Sequence, residues 1–229
     1  MGDIGRRYRR VLEEVAAACD DVGRDPGDVT VVGVSKYVDA ADTAELVRAG
    51  CKDLGESRPQ VMWAKAESPE IGGVDPVRWH MIGHLQRNKV ARTLRYPVVV
   101  HSVDSERLLS AIDDSATKAE VAVSVLVEVN PSGDADKTGL SSEDATRLIG
   151  SFDSDRVSID GLMAMAGWGT DVDAARRQFA AVRELRDRIA TDARPLRELS
   201  MGMSGDFPAA ISEGATMVRI GSRLWRDDP

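Results

Sequence analysis

A lysine that directly follows a buried strand is a candidate nucleophile, because partial desolvation favours the neutral amine that attacks a carbonyl. Lys36 holds that position, after the near-continuous apolar run Val29-Thr30-Val31-Val32-Gly33-Val34-Ser35. A surface lysine opening a loop is the other reading of the same residue. Far along the chain, Ser200-Met201-Gly202-Met203-Ser204-Gly205 and Arg219-Ile220-Gly221-Ser222 gather small polar residues and glycines. Glycine permits close backbone approach, and N–H groups with hydroxyls can then hold a phosphate; two ordinary turns rich in Gly and Ser are the alternative. Alternation in Met217-Val218-Arg219-Ile220 puts Arg219 on the same face as Met217, inside an otherwise apolar strand. A guanidinium turned into a core requires an acceptor. Glu56 is one candidate acceptor, and the ring nitrogen of an aromatic cofactor is another.

These residues can meet only if the intervening elements bring them together. Apolar periodicity, β-branching and flanking Gly or Pro predict strands at Val29–Val34, Asp53–Gly55, Val77–Ile82, Val98–Ser102, Ala122–Val129, Ser158–Met163, Glu198–Ser200 and Met217–Ile220. An opening amphipathic helix over Ile4–Val22 precedes them. Further helices fall at Ala40–Ala49, Pro59–Lys65, Ser105–Lys118, Ser141–Ser151, Val172–Thr191 and Pro208–Glu213. Strand alternating with helix at this length predicts an α/β fold, a single (β/α)8 barrel over residues 1–229 with an additional N-terminal helix. A doubly wound open sheet competes with it. The polar and glycine residues cluster at the carboxyl ends of the strands: Ser35 and Lys36, Glu56, Gly83 and His84, Ser200, Gly221 and Ser222. That is the end where such barrels carry their sites. No Pro/Ser-rich linker marks a domain boundary.

Composition narrows the function. Of 229 residues, 42% are hydrophobic and 30% charged, which describes a globular chain and excludes a disordered or collagen-like one. Lys plus Arg is 30 and Asp plus Glu is 38, giving a net charge of −8, which opposes a nucleic-acid or anionic membrane surface as partner. No apolar run approaches a bilayer span, and Met1–Cys19 carries Arg and Glu where a signal peptide would be apolar, so a cytoplasmic location is expected. Cys19 and Cys51 match no metal or redox spacing and are expected to be ordinary thiols.

Closure of a barrel would place strand one beside strand eight, and with them the lysine, the phosphate cradle and the inward arginine. That combination suits pyridoxal 5′-phosphate: Lys36 for the aldehyde, the cradle for the phosphate, Arg219 for the pyridine nitrogen. Several segments in order along the chain resemble the YggS/PROSC family of pyridoxal-phosphate homeostasis proteins. They are Val32-Gly33-Val34-Ser35-Lys36, Gly55-Glu56-Ser57, Trp79-His80-Met81-Ile82-Gly83, Leu85-Gln86-Arg87-Asn88-Lys89, Gly161-Leu162-Met163, Leu199-Ser200-Met201-Gly202-Met203-Ser204 and Val218-Arg219-Ile220-Gly221-Ser222. The resemblance implies a barrel similar to the N-terminal domain of alanine racemase. It also implies pyridoxal 5′-phosphate held on Lys36 as an aldimine, phosphate contacts around Ser200, Gly221 and Ser222, and Arg219 facing the ring nitrogen. The expected cofactor contacts are Lys36, Ser57, His80, Met163, Ser200, Met201, Ser204, Arg219, Gly221 and Ser222, with no catalytic residue and no metal ligand. Ser57 departs from the family's usual Asn, replacing an amide by a shorter hydroxyl.

The expected function is buffering the cofactor and delivering it to apo-enzymes, without robust catalysis. Racemases on this barrel carry a second domain, for which this length leaves no residues. An arginine at the pyridine nitrogen also weakens the electron sink. The alternative is an amino-acid racemase using Lys36 as one base and His80 or Tyr37 as the other; a module without cofactor leaves Lys36 and Arg219 unexplained. A monomer or weak homodimer is expected. His84 receives no role. Asp134–Gly139 lacks phosphate-loop spacing and is expected to be a mobile loop over the mouth, and Val172–Thr191 a solvated helix laced by ion pairs.

Overall fold

The β-branched run after Asp28 enters the structure as β1 (Thr30–Val34), and from there strand and helix alternate to the end of the chain. The computed structural model describes residues 3–133, 138–167 and 169–226. In order the elements are α1 (Asp3–Asp20), β1, α2 (Ala40–Arg48), β2 (Asp53–Glu56), α3 (Pro59–Ala66), α4 (Pro69–Gly72) and β3 (Arg78–Met81). There follow α5 (Val90–Thr93), β4 (Val98–Val103), α6 (Glu106–Ala119), β5 (Val123–Val129), α7 (Ser142–Ser151) and β6 (Val157–Ala164). The last are α8 (Val172–Ile189), β7 (Glu198–Met203), α9 (Phe207–Ser212), β8 (Met217–Ile220) and α10 (Ser222–Trp225). Most of the Asp134–Gly139 segment, residues 134–137, lies outside the described residues.

Every strand is parallel to the next, and β8 pairs with β1 from Thr30↔Met217 to Gly33↔Ile220, closing the sheet. The open doubly wound sheet is thereby excluded. Polar side chains start the helices where the sequence turns from strand to helix. Asp39 accepts from Asp42 N at 2.9 Å, Ser141 from Asp144 N at 3.1 Å and Asp171 from Ala174 N at 2.7 Å, each satisfying an orphan N–H of a first turn. The one-turn elements α4, α5 and α10 were not expected from the sequence, because four residues show no period that distinguishes a helix from a loop.

Alternation along the strands sorts the core into two layers. Leu54, Met81, Val100, Val125, Leu199 and Val218 face outward and pack against the helices in the main apolar layer. A small inner layer consists of Val32, Leu126, Met163 and Met217. β7 extends to Met203, three residues beyond its expected end, and its register with β8 shifts between Ser200 and Met203. Gly202 takes the bulge with φ 91°, a conformation that disfavours any Cβ; a Cβ there would also lie 2.6 Å from the Ala210 methyl.

Candidate functional site

The loop after β1 is fastened from outside the barrel. Ser35 is fully buried, and its hydroxyl donates to Glu56 Oε1 at 2.8 Å while its carbonyl accepts from Lys65 Nζ at 2.7 Å. Lys65 Nζ also donates to Glu56 Oε1 at 2.5 Å, in an ion pair whose side chains are 5% and 1% exposed. Glu56 is therefore not the acceptor of Arg219. On β2 the ideal Cβ of Gly55 points at Val32 and Val34, so that face is inward and Glu56, one residue on, faces α3. Its Oε2 is buried and has no hydrogen-bond partner among the described residues. Beyond Ser35 the chain emerges: Lys36 is exposed rather than partly buried, with its Nζ 4.9 Å from the centre of the Tyr37 ring. The Trp225 indole N–H donates to Val34 O at 2.7 Å, tying α10 to the end of β1.

Arg219 points into the barrel and is 4% exposed. Its Nη1 donates to the Ser200 carbonyl at 2.6 Å and hydroxyl at 2.8 Å, and its Nη2 to Ala164 O at 2.9 Å. All three acceptors are uncharged. Burial pushes the guanidinium down to about 10, with Asp206 and Glu128 acting against the shift from a distance. Behind Ser200 the polar chain continues through the barrel. Ser200 Oγ lies 2.9 Å from His101 Nδ1, His101 Nε2 lies 2.8 Å from His80 Nδ1, and His80 Nε2 lies 2.8 Å from Asp53 Oδ1. Arg78 Nε donates to the same Asp53 oxygen at 2.7 Å. Burial holds both imidazoles below their ordinary value, His101 well below it, with the Asp53 contact opposing the shift at His80. Burial alone would raise the Asp53 carboxyl, but hydrogen bonds from His80 and Arg78 outweigh it and hold the group low.

The loops after β7 and β8 meet where Gly221 N donates to Ser204 Oγ at 3.2 Å, and Arg223 Nε donates to Ser204 O at 2.8 Å. Gly221 is half-buried and Ser222 exposed. Ser57 is half-buried beside Gly83, where a Cβ would lie 2.4 Å from the Ser57 carbonyl oxygen, so glycine is what lets these two loops approach. Lys36, Ser57, Ser204, Gly221 and Ser222 thus follow the carboxyl ends of their strands, and Arg219 and Met163 lie within the barrel. Three expected contacts are placed differently. Met201 is fully buried in the outer layer, because the residue after inward Ser200 must face α9. Ser200 and His80 are fully buried, with hydroxyl and ring committed to the interior chain. Asp53, His101 and Lys65 went unrecognised in the sequence. The register puts Asp53, His80 and His101 on inward positions of neighbouring strands, a parity that the four residues of β2 do not reveal by themselves.

Fold and site together define a (β/α)8 barrel with an exposed strand-end amine and a buried inward guanidinium at the carboxyl ends of the strands. Residues 25–229 match the family described as "Alanine racemase, N-terminal domain". A pyridoxal phosphate homeostasis protein of Aquifex aeolicus (strain VF5) is 37% identical over 221 residues, covering 96% of this chain and 96% of that one. The solved structure of PipY of Synechococcus elongatus with PLP bound superposes with a TM-score of 0.80 at 31% identity, covering 93% of this chain and 100% of that one. An alanine racemase of Clostridium difficile 630 in complex with cycloserine gives a TM-score of 0.74 at 15% identity, with 95% of this chain and 60% of the racemase covered, and so shares the fold. The chain belongs to the family of pyridoxal phosphate homeostasis proteins, built on the alanine racemase N-terminal domain.

Proposed function

We propose that this protein binds pyridoxal 5′-phosphate at the carboxyl ends of its strands and serves in homeostasis of that cofactor, holding it and delivering it to apo-enzymes without robust catalysis of its own. The observation that carries the reading is Arg219, a buried guanidinium whose acceptors are all uncharged. Three of its five N–H groups are used among the described residues, and a ring nitrogen is an acceptor suited to what remains. When bound, the cofactor supplies an aldehyde that condenses with a primary amine and a ring that withdraws electrons. The chain's own residues do the rest. Lys36 offers the amine from the rigid Ser35 anchor. Ser204 and Ser222 offer hydroxyl donors to the phosphate, and the Gly221 N–H holds the Ser204 hydroxyl in place for it. Met163 lines the inner apolar layer, and Ser57 stands at the rim.

The carrier reading is supported by the match over 96% of a protein named for homeostasis. It is supported too by His80, which is fully buried behind His101 and is badly placed to serve as a second base at the mouth. Free buried Cys19 and Cys51 support a reducing compartment, the cytoplasm, as its place of action. One barrel domain, acting as a monomer or weak homodimer, completes the proposal.

Borohydride reduction of protein mixed with pyridoxal 5′-phosphate is expected to fix the cofactor on Lys36, read by peptide mass spectrometry. Lys36→Ala is expected to abolish the label and shift stability by no more than about 0.5 kcal/mol, because the residue is exposed. Labelling elsewhere with Lys36 untouched refutes the site. Racemisation of L- and D-amino acids at about one turnover per second or faster refutes the carrier reading.

A further inference from the structure

The interior chain from Arg219 to Asp53 has ends that allow only one direction. A guanidinium can only donate and a carboxylate can only accept, and each neutral imidazole has one N–H and one lone pair. Asp53, already taking the Arg78 N–H, must accept from His80 Nε2–H, which leaves His80 Nδ1 as an acceptor 2.8 Å from His101 Nε2. His101 must then donate from Nε2 and accept at Nδ1 from the Ser200 hydroxyl, 2.9 Å away, and Ser200 Oγ accepts from Arg219 Nη1. The reverse orientation would turn a nitrogen lone pair on the carboxylate. Both rings are fully buried and meet edge to face, with centroids 5.0 Å apart, so neither can flip to another partner without vacating the chain.

We infer that Asp53, His80, His101 and Ser200 form a one-way hydrogen-bond relay that positions Arg219, so that a carboxylate at the amino-terminal end of the barrel holds the guanidinium at the other end. Asp53 and Arg78 begin their strands, on the face opposite the loops that follow β7 and β8. Each donated bond polarises the next donor, making Ser200 Oγ a stronger acceptor than an isolated hydroxyl. With Ser200 O and Ala164 O it fixes three of the five N–H groups and leaves the rest in one orientation. These four are positioning residues. That Arg219 faces a pyridine nitrogen rests on the function proposed above; the relay itself does not.

The test uses the protein without cofactor first. The chain contains three histidines, and the third, His84, is exposed and serves as an internal reference. Long-range 1H–15N NMR is expected to show His80 and His101 both as Nε2–H tautomers, and slow guanidinium rotation is expected to resolve the Arg219 Nη protons. An Nδ1–H tautomer at either ring overturns the relay. His101→Leu breaks the chain and is expected to collapse the Arg219 signals and weaken pyridoxal 5′-phosphate binding, read from the Schiff-base absorption, by about tenfold, the scale of one buried hydrogen bond. His101→Gln, which keeps a donor and an acceptor, is expected to restore both. A folded His101→Leu protein with unchanged Arg219 signals overturns the proposal even if the wild type binds no cofactor. Wild-type protein with the expected tautomers and no Schiff-base band refutes the proposed function alone.

Discussion

Replacing Lys65 by methionine strands a charge. Glu56 is 1% exposed, its Oε1 lies 2.5 Å from Lys65 Nζ, and its Oε2 has no hydrogen-bond partner among the described residues, so removing the ammonium leaves a buried carboxylate with the Ser35 hydroxyl as its remaining donor. Breaking a buried pair from one side costs about 3–5 kcal/mol, most of it the penalty of the unpaired survivor. At roughly 2–4 °C per kcal/mol for a chain of this size, Lys65→Met should melt roughly 6–20 °C lower. The double variant Lys65→Met with Glu56→Leu strands no charge. It is left with the buried Ser35 hydroxyl and carbonyl, a loss of about 1–3 kcal/mol. The double variant is therefore expected to be more stable than Lys65→Met alone. Urea unfolding followed by tryptophan fluorescence reads all the variants, with Trp63 and Trp79 buried as reporters. A second readout separates positioning from stability: borohydride labelling of Lys36 should slow in Lys65→Met, because Ser35 loses a side-chain anchor. If Lys65→Met costs under about 1 kcal/mol, or the two substitutions add independently, the pair does not hold this loop.

Gly202→Ala forces a methyl to within 2.6 Å of the Ala210 methyl at φ 91°, and a loss of about 2–5 kcal/mol is expected in the same unfolding assay. A loss under about 1 kcal/mol would show that the bulge after Ser200 yields freely. Acid should destabilise the fold in two stages. His80 and His101 have folded values below the ordinary 6.5, so below that pH the unfolded chain takes up protons the folded one refuses, and stability falls as pH falls. Asp53, held low, adds stability above its ordinary carboxyl value that is lost as pH falls through its folded value. The urea midpoint is therefore expected to drop between about pH 7.5 and about pH 5.5, by less in His101→Gln; a flat or rising midpoint refutes buried neutral rings.

The barrel was legible because β1, β4, β5 and β8 are runs rich in β-branched residues, whereas β2, β3 and β7 contain none. Those runs fixed β1, β5 and β8 to within a residue. The inward direction of Arg219 was legible from alternation with Met217. What alternation could not supply was the partner. Glu56 and Arg219 both lie near the ends of their strands, but Glu56 occupies an outward position and Asp53 an inward one, and the parity of β2 is hidden in a strand of four residues. The bulge at Gly202 likewise carries no signal beyond a glycine, yet it lets Ser200 face inward while β7 runs on to Met203. Lys65 carries no signal of its role, since nothing local marks a lysine on a short helix whose partners lie on other elements.

The two polar systems converge because of register. Val32 pairs with Arg219 and Gly33 with Ile220, so Lys36 emerges beside the strand whose arginine lies inside. One system works from outside, through Lys65 and Glu56, and fixes where the lysine leaves the sheet. The other works from inside, through Asp53, His80, His101 and Ser200, and fixes the guanidinium. A buried unpaired arginine is expensive, and apolar packing alone does not satisfy its N–H groups. Spending buried polar groups on these two points, in a barrel whose inner apolar layer is otherwise small, is what a site needs if it is to meet a rigid planar ligand at two separated atoms. Lys36 is exposed where Arg219 is buried, so of the two points only the amine stands open to solvent.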